Sequence, residues 1–410
     1  MKNVLFVLPF FPYPLISGGH QAIFNGIYSV RNDINAFITY CEYAEYPIPN
    51  TKKAFSDKMD GRVRVMPFVL PPRPNRSKTV ELLFRLNNKL KKFLNKDTKN
   101  KRNDYEDWLS QIMPQNGNYL NHINGIIKKF NIDIVQCEML ETAHIALSLP
   151  ANVTKYFVEH EIGFVRKQLC LDNNSDSSLI GIAQLEINKA IEVFLLNQFD
   201  RVLTLSSIDT AKLEDAGVIK PIHTSFACVN TATCAEVVSI RHNVLSFVGP
   251  EWHPSNKSGL LWFLSNCWEK LNAVEPYYLN VIGRWNEETK LSIEKQYKGV
   301  RFLGFVDDIQ SVLSDSIMIV PITIGSGIRM KILEACANGV PVVTTSVGVE
   351  GLPLVLERDC LVSDTPDGFV DSIVALKDEE LRHQFIQSSR NLISESFSAE
   401  ALRNNRKSLY

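Results

Sequence analysis

Residues 317–352 read IMIVPITIGSGIRMKILEACANGVPVVTTSVGVEGL, and the fold is read most directly from them. Ile317–Ile322 is a short apolar run rich in β-branched residues, the pattern of a strand buried on both faces. Gly325, Ser326 and Gly327 supply a permissive turn. From Ile328 the apolar positions Ile328, Ile332, Leu333 and Cys336 recur at helical spacing. Gly339 ends that helix, and Pro341 leads into a second strand-like run at Val340–Thr344. Strand, glycine turn, helix and strand make a βαβ unit, whose crossover is expected to be right-handed.

The polar residues of this unit carry chemistry. The spacing places Arg329 and Lys331 in the first helical turn, where the helix dipole already supplies roughly half a positive charge. A cation there is unfavourable by ~0.3–1 kcal/mol unless an anion sits on it. Gly327 lets the backbone approach such an anion closely, with N–H groups pointing at it. Glu334, three residues after Lys331, offers a carboxylate to the hydroxyls of a sugar or ribose. The alternative reading is an ordinary α/β helix with Arg329 and Lys331 in solvent and Glu334 paired to Lys331.

The string GSGIRMKILEACANGVPVVTT resembles the nucleotide-sugar-binding segment of GT-B glycosyltransferases of family 4, the retaining group-1 transferases. It is most similar to the bacterial branch with a Gly-x-Gly-x-Arg-x-Lys-x-x-Glu pattern. That resemblance implies an α/β chain of two facing doubly wound Rossmann-like domains with a cleft between them. Many members carry two glutamates with seven residues between them. Glu334 matches the second, implying contact with the donor ribose, whereas Ser326 stands where the first would touch the donor sugar.

Bulk properties agree with a soluble globular protein of two domains or more. The chain has 410 residues, 45% hydrophobic and 22% charged, with net charge −1, so nothing global points to nucleic acid. The eight cysteines include no Cys-x-x-Cys pair, which favours buried thiols in a reducing cytoplasm. The opening VLFVLPFFPYPLI is interrupted by Pro9, Pro12 and Pro14 and reads as a strand and loop rather than a signal segment. No run reaches the ~18 apolar residues that would cross a bilayer.

In the N-terminal half, Val4–Leu8 reads as a strand, the loop after it ends in Gly18-Gly19, and the residues up to Val30 read as a helix; the resemblance implies that Gly18-Gly19 face the donor phosphates. Asn35–Tyr40, Val63–Phe68, Ile132–Val135 and Lys155–Val158 read as further strands. Leu179–Gln198 reads as a long helix, and Asp200–Ser206 as the last strand before the closing helix. Glu138 and Glu159-His160-Glu161 fall at strand carboxyl ends, where open α/β sheets bind ligands. The segment VEHEIGFVRK resembles the family's loop in which a histidine lines the donor-sugar and acceptor pocket. This makes His160 a catalytic candidate and Glu138, His160 and Glu161 acceptor-binding candidates. Arg73–Arg102 holds eleven Lys/Arg against Glu81 and Asp97, with Leu83, Leu86, Leu90 and Phe93 or Leu94 at helical spacing. Such a segment fits an anionic membrane surface or an ordinary solvated helix.

In the C-terminal half, Val244–Val248 opens a new strand, followed by a loop and a helix over Gly259–Leu271. In that loop Glu251 stands near the position where relatives carry an Arg, and Lys257 aligns with their Lys. The resemblance therefore implies donor contacts from Gly18, Gly19, Lys257, Gly283, Arg284, Phe305, Val306, Gly325, Ser326, Gly327, Arg329, Lys331 and Glu334. Arg329 and Lys331 take the catalytic charge-stabilising role. Asp307-Asp308 reads as a helix start rather than a metal site, and no Asp-x-Asp pair occurs, so no metal cofactor is expected.

The expected organisation is an acceptor domain at 1–238, a nucleotide-sugar domain at 239–395 and a crossing-back helix at 396–410. The expected activity is retaining transfer of a sugar from a nucleotide diphosphate sugar to a hydroxyl of a glycan, lipid-linked or other acceptor. No residue is an obvious nucleophile, and the resemblance implies front-face attack assisted by the leaving phosphate. A nucleotide-sugar epimerase or hydrolase, and a non-catalytic partner subunit, share the fold. The expected location is cytoplasmic, with peripheral contact at the inner membrane face.

Overall fold

The computed structural model describes residues 1–43, 49–70, 117–173, 179–229, 240–306, 309–325 and 327–410. The basic segment Arg73–Arg102, the Asp307-Asp308 pair, Ser326 and the expected boundary at 238/239 lie outside the described residues.

The first half builds a parallel sheet from β1 (Asn3–Val7), β2 (Asn35–Thr39), β4 (Val63–Val65), β6 (Ile134–Glu138), β7 (Thr154–Glu159), β8 (Arg201–Thr204) and β9 (Ile222–Thr224). Its order is β4-β2-β1-β6-β7-β8-β9. A small parallel pair, β3 (Cys41–Tyr43) and β5 (Phe68–Leu70), flanks it. The second half builds a sheet from β10 (Val244–Val248), β11 (Tyr278–Ile282), β12 (Val300–Gly304), β13 (Ile317–Val320), β14 (Val342–Thr344) and β15 (Leu361–Val362). Its order is β12-β11-β10-β13-β14-β15.

Each sheet has an apolar core on both faces. In the first, Leu5 and Val7 face one cluster, and Val4 and Phe6 the other. In the second, Ile317 and Ile319 alternate with Met318 and Val320 in the same way. Strands covered on both sides need continuous apolar runs, which is why these segments do not alternate with polar residues. Each buried aliphatic side chain contributes roughly 1.5–3 kcal/mol against exposure.

Several expected elements differ in detail. The run Val63–Phe68 is two strands, because Pro67 cannot donate to a ladder. Val63–Val65 pairs with β2 and Phe68–Leu70 pairs with β3. Asp200–Ser206 is not the last strand of the first domain. After the helix Ser207–Ala216, the short β9 adds beside β8. The helix expected over Gly259–Leu271 starts earlier, with Pro254 in its first turn after His253, and breaks at Cys267. The break lets Phe263 and Leu264 on one side and Trp268 and Leu271 on the other bury in the same core.

The chain passes between the domains at two places that touch. Val229 N–H donates to Phe397 O at 2.9 Å. Phe226, Ala227 and Val229 already pack in the second core. The helix Ala399–Arg406 then packs on the first domain's helix Gly18–Val30. Arg403 pairs with Asp33 at 2.6 Å, and Tyr156 Oη donates to Leu409 O at 2.7 Å.

Among the described residues Cys41, Cys137, Cys228, Cys267, Cys336 and Cys360 are free thiols. No described helix is long and apolar enough to cross a membrane.

Candidate active site

Both sheets have a switch point, where the chain, having built one side of the sheet, starts the other. These points lie between β1 and β6 in the first domain and between β10 and β13 in the second. Doubly wound sheets bind ligands in the crevice beyond the strand carboxyl ends at such points. Here the two crevices meet. The first domain presents the helix start at Gly18, with Ser17 as its cap, and the second presents the helix start at Met330. A Cβ on Gly18 would lie 3.3 Å from Met330 Cγ, so the two helix N-termini face one another closely. Ile328 packs against cores of both domains.

The loop before Met330 corrects one expectation. The helix begins at Met330, and Arg329 is its N-cap with φ −85° and ψ 82°, so only Lys331 lies in the first turn. The glycine turn runs longer than its spacing implied, because Gly325 and Gly327 take φ of 146° and 78°, a region costly for other residues. Gly327 also has no room for a side chain. A Cβ there would lie 2.7 Å from His160 O, across the domain boundary.

Neither cation is in bulk solvent. Arg329 is buried, at 9% exposure, and its guanidinium donates to Gly327 O. Burial lowers its affinity for a proton, opposed in part by the carboxylates of Glu161, Glu350 and Asp209. Lys331 Nζ donates to Val248 O at 2.5 Å and to Asn256 Oδ1 at 2.7 Å. Burial, with Arg329 nearby, brings its ammonium down to about 7. Burial pushes the Glu334 carboxyl up to about 7, opposed by a hydrogen bond with Gln21 and by Lys331. A lysine and a glutamate one helical turn apart, both close to neutrality, form a pair that a bound ion is able to recharge.

On the first domain, His160 Nε2 meets Glu138 Oε2 at 2.7 Å, with both side chains nearly buried. Thr142, four residues after Glu138, ties the next turn by donating to Glu138 O at 2.9 Å. Glu161 Oε2 accepts from Arg166 at 2.9 Å. Glu161 also attracts Arg329 and His253 electrostatically, so it faces the second domain's cations. Beneath this loop, Glu192 accepts from Gly163 N at 2.9 Å and Phe164 N at 3.0 Å, anchoring the following helix at its positive end.

The remaining expected residues line the carboxyl ends of β10, β11 and β12. Gly283 N donates to Gly304 O at 2.8 Å. Arg284 lies over the Phe305 ring at 5.7 Å, with Phe305 half exposed and Val306 following it. Lys257 is engaged elsewhere. Its Nζ lies 2.7 Å from Glu251 Oε1, and Glu251 also accepts from Asn286 N and Thr289 Oγ1. The residue near the family's arginine position thus holds Lys257 on the rim. Among the described residues no group of His, Cys, Asp and Glu could hold a metal ion.

Sequence reasoning missed four residues here. His20 stacks on Phe10 at 4.2 Å, accepts from or donates to Ser17 Oγ at 2.8 Å, and is brought down to about 4 by burial. Gln21 reaches Glu334. Asn256 receives Lys331, and His253, lowered by burial, faces Glu161. His20 and Gln21 carry no local signal, since the partner of Gln21 lies in a distant segment. The Asn256–Lys331 contact spans too much sequence to be read from spacing.

Comparison with known proteins is consistent in fold and family. Residues 242–379 match the family model described as glycosyl transferases group 1. The chain is 25% identical over 301 residues to N-acetyl-alpha-D-glucosaminyl L-malate synthase of Bacillus anthracis, covering 68% of this chain and 76% of the relative. Among solved structures, TarM superposes with a TM-score of 0.71 at 13% identity, covering 100% of this chain and 98% of that one. Sucrose-phosphate synthase of Thermosynechococcus elongatus gives the same values. Anabaena HepE in complex with UDP gives a TM-score of 0.65 at 12% identity, covering 100% and 99%.

Proposed function

We propose that this chain, which has the GT-B fold and whose residues 242–379 match the glycosyl transferases group 1 model, is a retaining glycosyltransferase that uses a UDP-sugar and a hydroxyl acceptor. The observation that carries this is the pair of opposed helix N-termini at Gly18 and Met330, with Arg329 and Lys331 beside them. Two helix ends and two cations converging on one cleft form a receptor for a diphosphate. They stabilise the charge that grows on it as the glycosidic bond breaks. Glu334 then takes the ribose hydroxyls, and the backbone at Phe305-Val306 takes the base.

The uridine base is favoured by the relatives. Anabaena HepE is described with UDP and with UDP-glucose, and TarM of S. aureus with UDP and alpha-GlcNAc-glycerol. The Bacillus anthracis relative is named for an N-acetylglucosaminyl product, so UDP-N-acetylglucosamine is the first donor to test. His160, held by Glu138 at the opposite wall, faces the donor sugar and acceptor. In retaining transfer the acceptor hydroxyl approaches the face that the diphosphate leaves. The leaving phosphate oxygen takes the acceptor's proton, so the carbon needs no protein nucleophile.

The acceptor is a hydroxyl of a glycan, of a lipid-linked molecule or of another compound. For the lipid-linked form, the eleven Lys/Arg of Arg73–Arg102 supply attraction to anionic lipid of ~1 kcal/mol per residue near the surface. Vesicles containing anionic lipid should co-sediment the protein at low salt, and less of a Lys89, Lys91, Lys92 and Lys96 to Gln variant. Equal sedimentation of both removes the membrane role.

The deciding experiment is a thermal-shift screen of UDP-, GDP- and ADP-sugars followed by product analysis with simple acceptors. A ligand at 100 times its Kd raises stability by ~2.7 kcal/mol. Stabilisation by UDP-sugars and an α-linked product are expected. Donor turnover without acceptor would favour an epimerase or hydrolase, and nucleotide binding without turnover a partner subunit.

A further inference from the structure

The His160 imidazole is the end of a hydrogen-bonded line that begins in the C-terminal segment. Tyr410 Oη meets Gln136 Oε1 at 2.5 Å. Gln136 Nε2 meets Glu138 Oε1 at 2.6 Å, and Glu138 Oε2 meets His160 Nε2 at 2.7 Å. Gln136 and Glu138 are 0% and 3% exposed, so water does not compete along the line.

Donor and acceptor chemistry fixes its direction. An ionised carboxylate only accepts, so Gln136 must turn its NH2 towards Glu138. Its amide oxygen then faces Tyr410, whose hydroxyl hydrogen has that oxygen as its acceptor. The other Glu138 oxygen accepts from His160, which places the imidazole proton on Nε2 and leaves Nδ1 with its lone pair. Without the tyrosine hydroxyl the amide oxygen loses its donor and the amide becomes free to rotate. A rotated amide would set oxygen against carboxylate oxygen.

We propose that Tyr410 and Gln136 are positioning residues that set the tautomer and orientation of His160 through Glu138. The inference rests on the reading of His160 as a wall of the transfer site. Tyr410 reaches the first domain at the end of the segment after the helix Ala399–Arg406. Arg406 and Tyr156 are the other charged or titratable groups facing its hydroxyl. A group supplied after the second domain thus tunes a histidine of the first.

A control separates this role from simple anchoring. Tyr156 Oη donates to Leu409 O at 2.7 Å, so its hydroxyl holds the same segment outside the three bonds of the line, while its ring lies beside that of Tyr410. Tyr410→Phe should lower kcat about tenfold, part of the ~10²–10⁴ that a positioned proton-transfer group contributes. The KM for the donor should stay within about twofold, because the diphosphate contacts are untouched. Tyr156→Phe should lose comparable thermal stability while keeping kcat within about twofold. Equal kcat in Tyr410→Phe and Tyr156→Phe overturns the proposal.

A second measurement is independent of turnover. In protein labelled with 15N-histidine, assigned against His160→Gln, the His160 signals should show the Nε2-protonated tautomer. In Tyr410→Phe and Gln136→Leu they should move towards a tautomer mixture. An unchanged His160 spectrum in Tyr410→Phe refutes the line. If the parent protein transfers no sugar while the spectrum shifts as expected, the line stands and the transfer reading fails.

Discussion

Lys331 Nζ donates to Asn256 Oδ1 at 2.7 Å, joining the helix Met330–Ala337 to the helix Pro254–Asn266 on the other side of the switch point. Asn256 is itself fixed, since its Nδ2 donates to Pro250 O at 3.1 Å. Its amide occupies the space that a side chain on Gly249 would need, only 2.4 Å from an ideal Cβ there. The lysine is therefore aimed by its surroundings before any ligand arrives. Such preorganisation is what makes electrostatic stabilisation of a leaving group effective.

A proton-linked binding signal is expected from this lysine. With its ammonium brought down to about 7, Lys331 is largely neutral at pH 8 and becomes charged when a diphosphate arrives. Glu334, pushed up to about 7, sheds the remainder of its proton when ribose hydroxyls donate to it. The two effects oppose one another in the parent. Calorimetry of UDP in buffers of different ionisation enthalpy should show proton uptake in Glu334→Gln at pH 8. It should show proton release in Lys331→Met at pH 7, where Glu334, no longer held down by the lysine, keeps much of its proton. Buffer-independent enthalpies in both variants would rule out the linkage.

Glu334 also sets a pH dependence of stability. Its folded-state pKa is raised, so its ionisation opposes folding. That cost is absent below the unfolded value near 4.5, grows as pH rises towards 7, and is complete above 7. Glu334→Gln should accordingly raise the thermal midpoint of the empty protein at pH 8 and leave it nearly unchanged at pH 4.5. An equal shift at both values would mean that lost packing, not charge, governs the variant.

Arg329 and Glu334 should separate by ligand. Arg329→Ala should weaken UDP binding by ~1.5–3 kcal/mol, the scale of a hydrogen bond to a charged group, and hardly affect uridine. Glu334→Gln should weaken both. Titration of the two ligands against the two variants decides the matter, and equal weakening of uridine and UDP by Arg329→Ala would reduce that residue to a structural role.

Gly327 tests the contact between domains. Alanine there meets both a φ of 78° and the carbonyl of His160 at 2.7 Å. The backbone strain alone is on the order of 1 kcal/mol or more. The variant should lose kcat/KM by at least about tenfold, because the first domain's loop is pushed off the donor turn. Activity within twofold of the parent would show that the two domains do not meet this way during turnover.

Metal independence is the last expectation. On the proposed reading, Arg329, Lys331 and two helix ends do for the diphosphate what a cation would otherwise do. Transfer should survive EDTA, and complete loss restored by Mn²⁺ would overturn the phosphate assignment.

The regular part of this structure was legible because buried parallel strands must be apolar runs. Val244–Val248 is bounded in the fold as it is in the sequence, and the first helix ends at Val30 as its pattern implied. β9 was not legible, since Ile222–Thr224 carries no apolar run and is specified by its partner β8. In the site, the glycine turn and its Arg, Lys and Glu were visible as a local string. The setting of those charges was not, because Asn256, Gln21 and Glu161 come from distant segments. Whether Lys331 is solvated or buried is decided only when the sheet brings Val248 beneath it.

The bond between Val229 N–H and Phe397 O has a consequence for how the polypeptide can be divided. The second half of the chain carries, in Ala399–Arg406 and Tyr410, a piece of the first domain. Separate expression of residues 1–229 and 240–410 would therefore give two incomplete bodies, each displaying a surface shaped for the other. Such fragments should recombine into a working whole when mixed, a split reporter already present in the natural architecture.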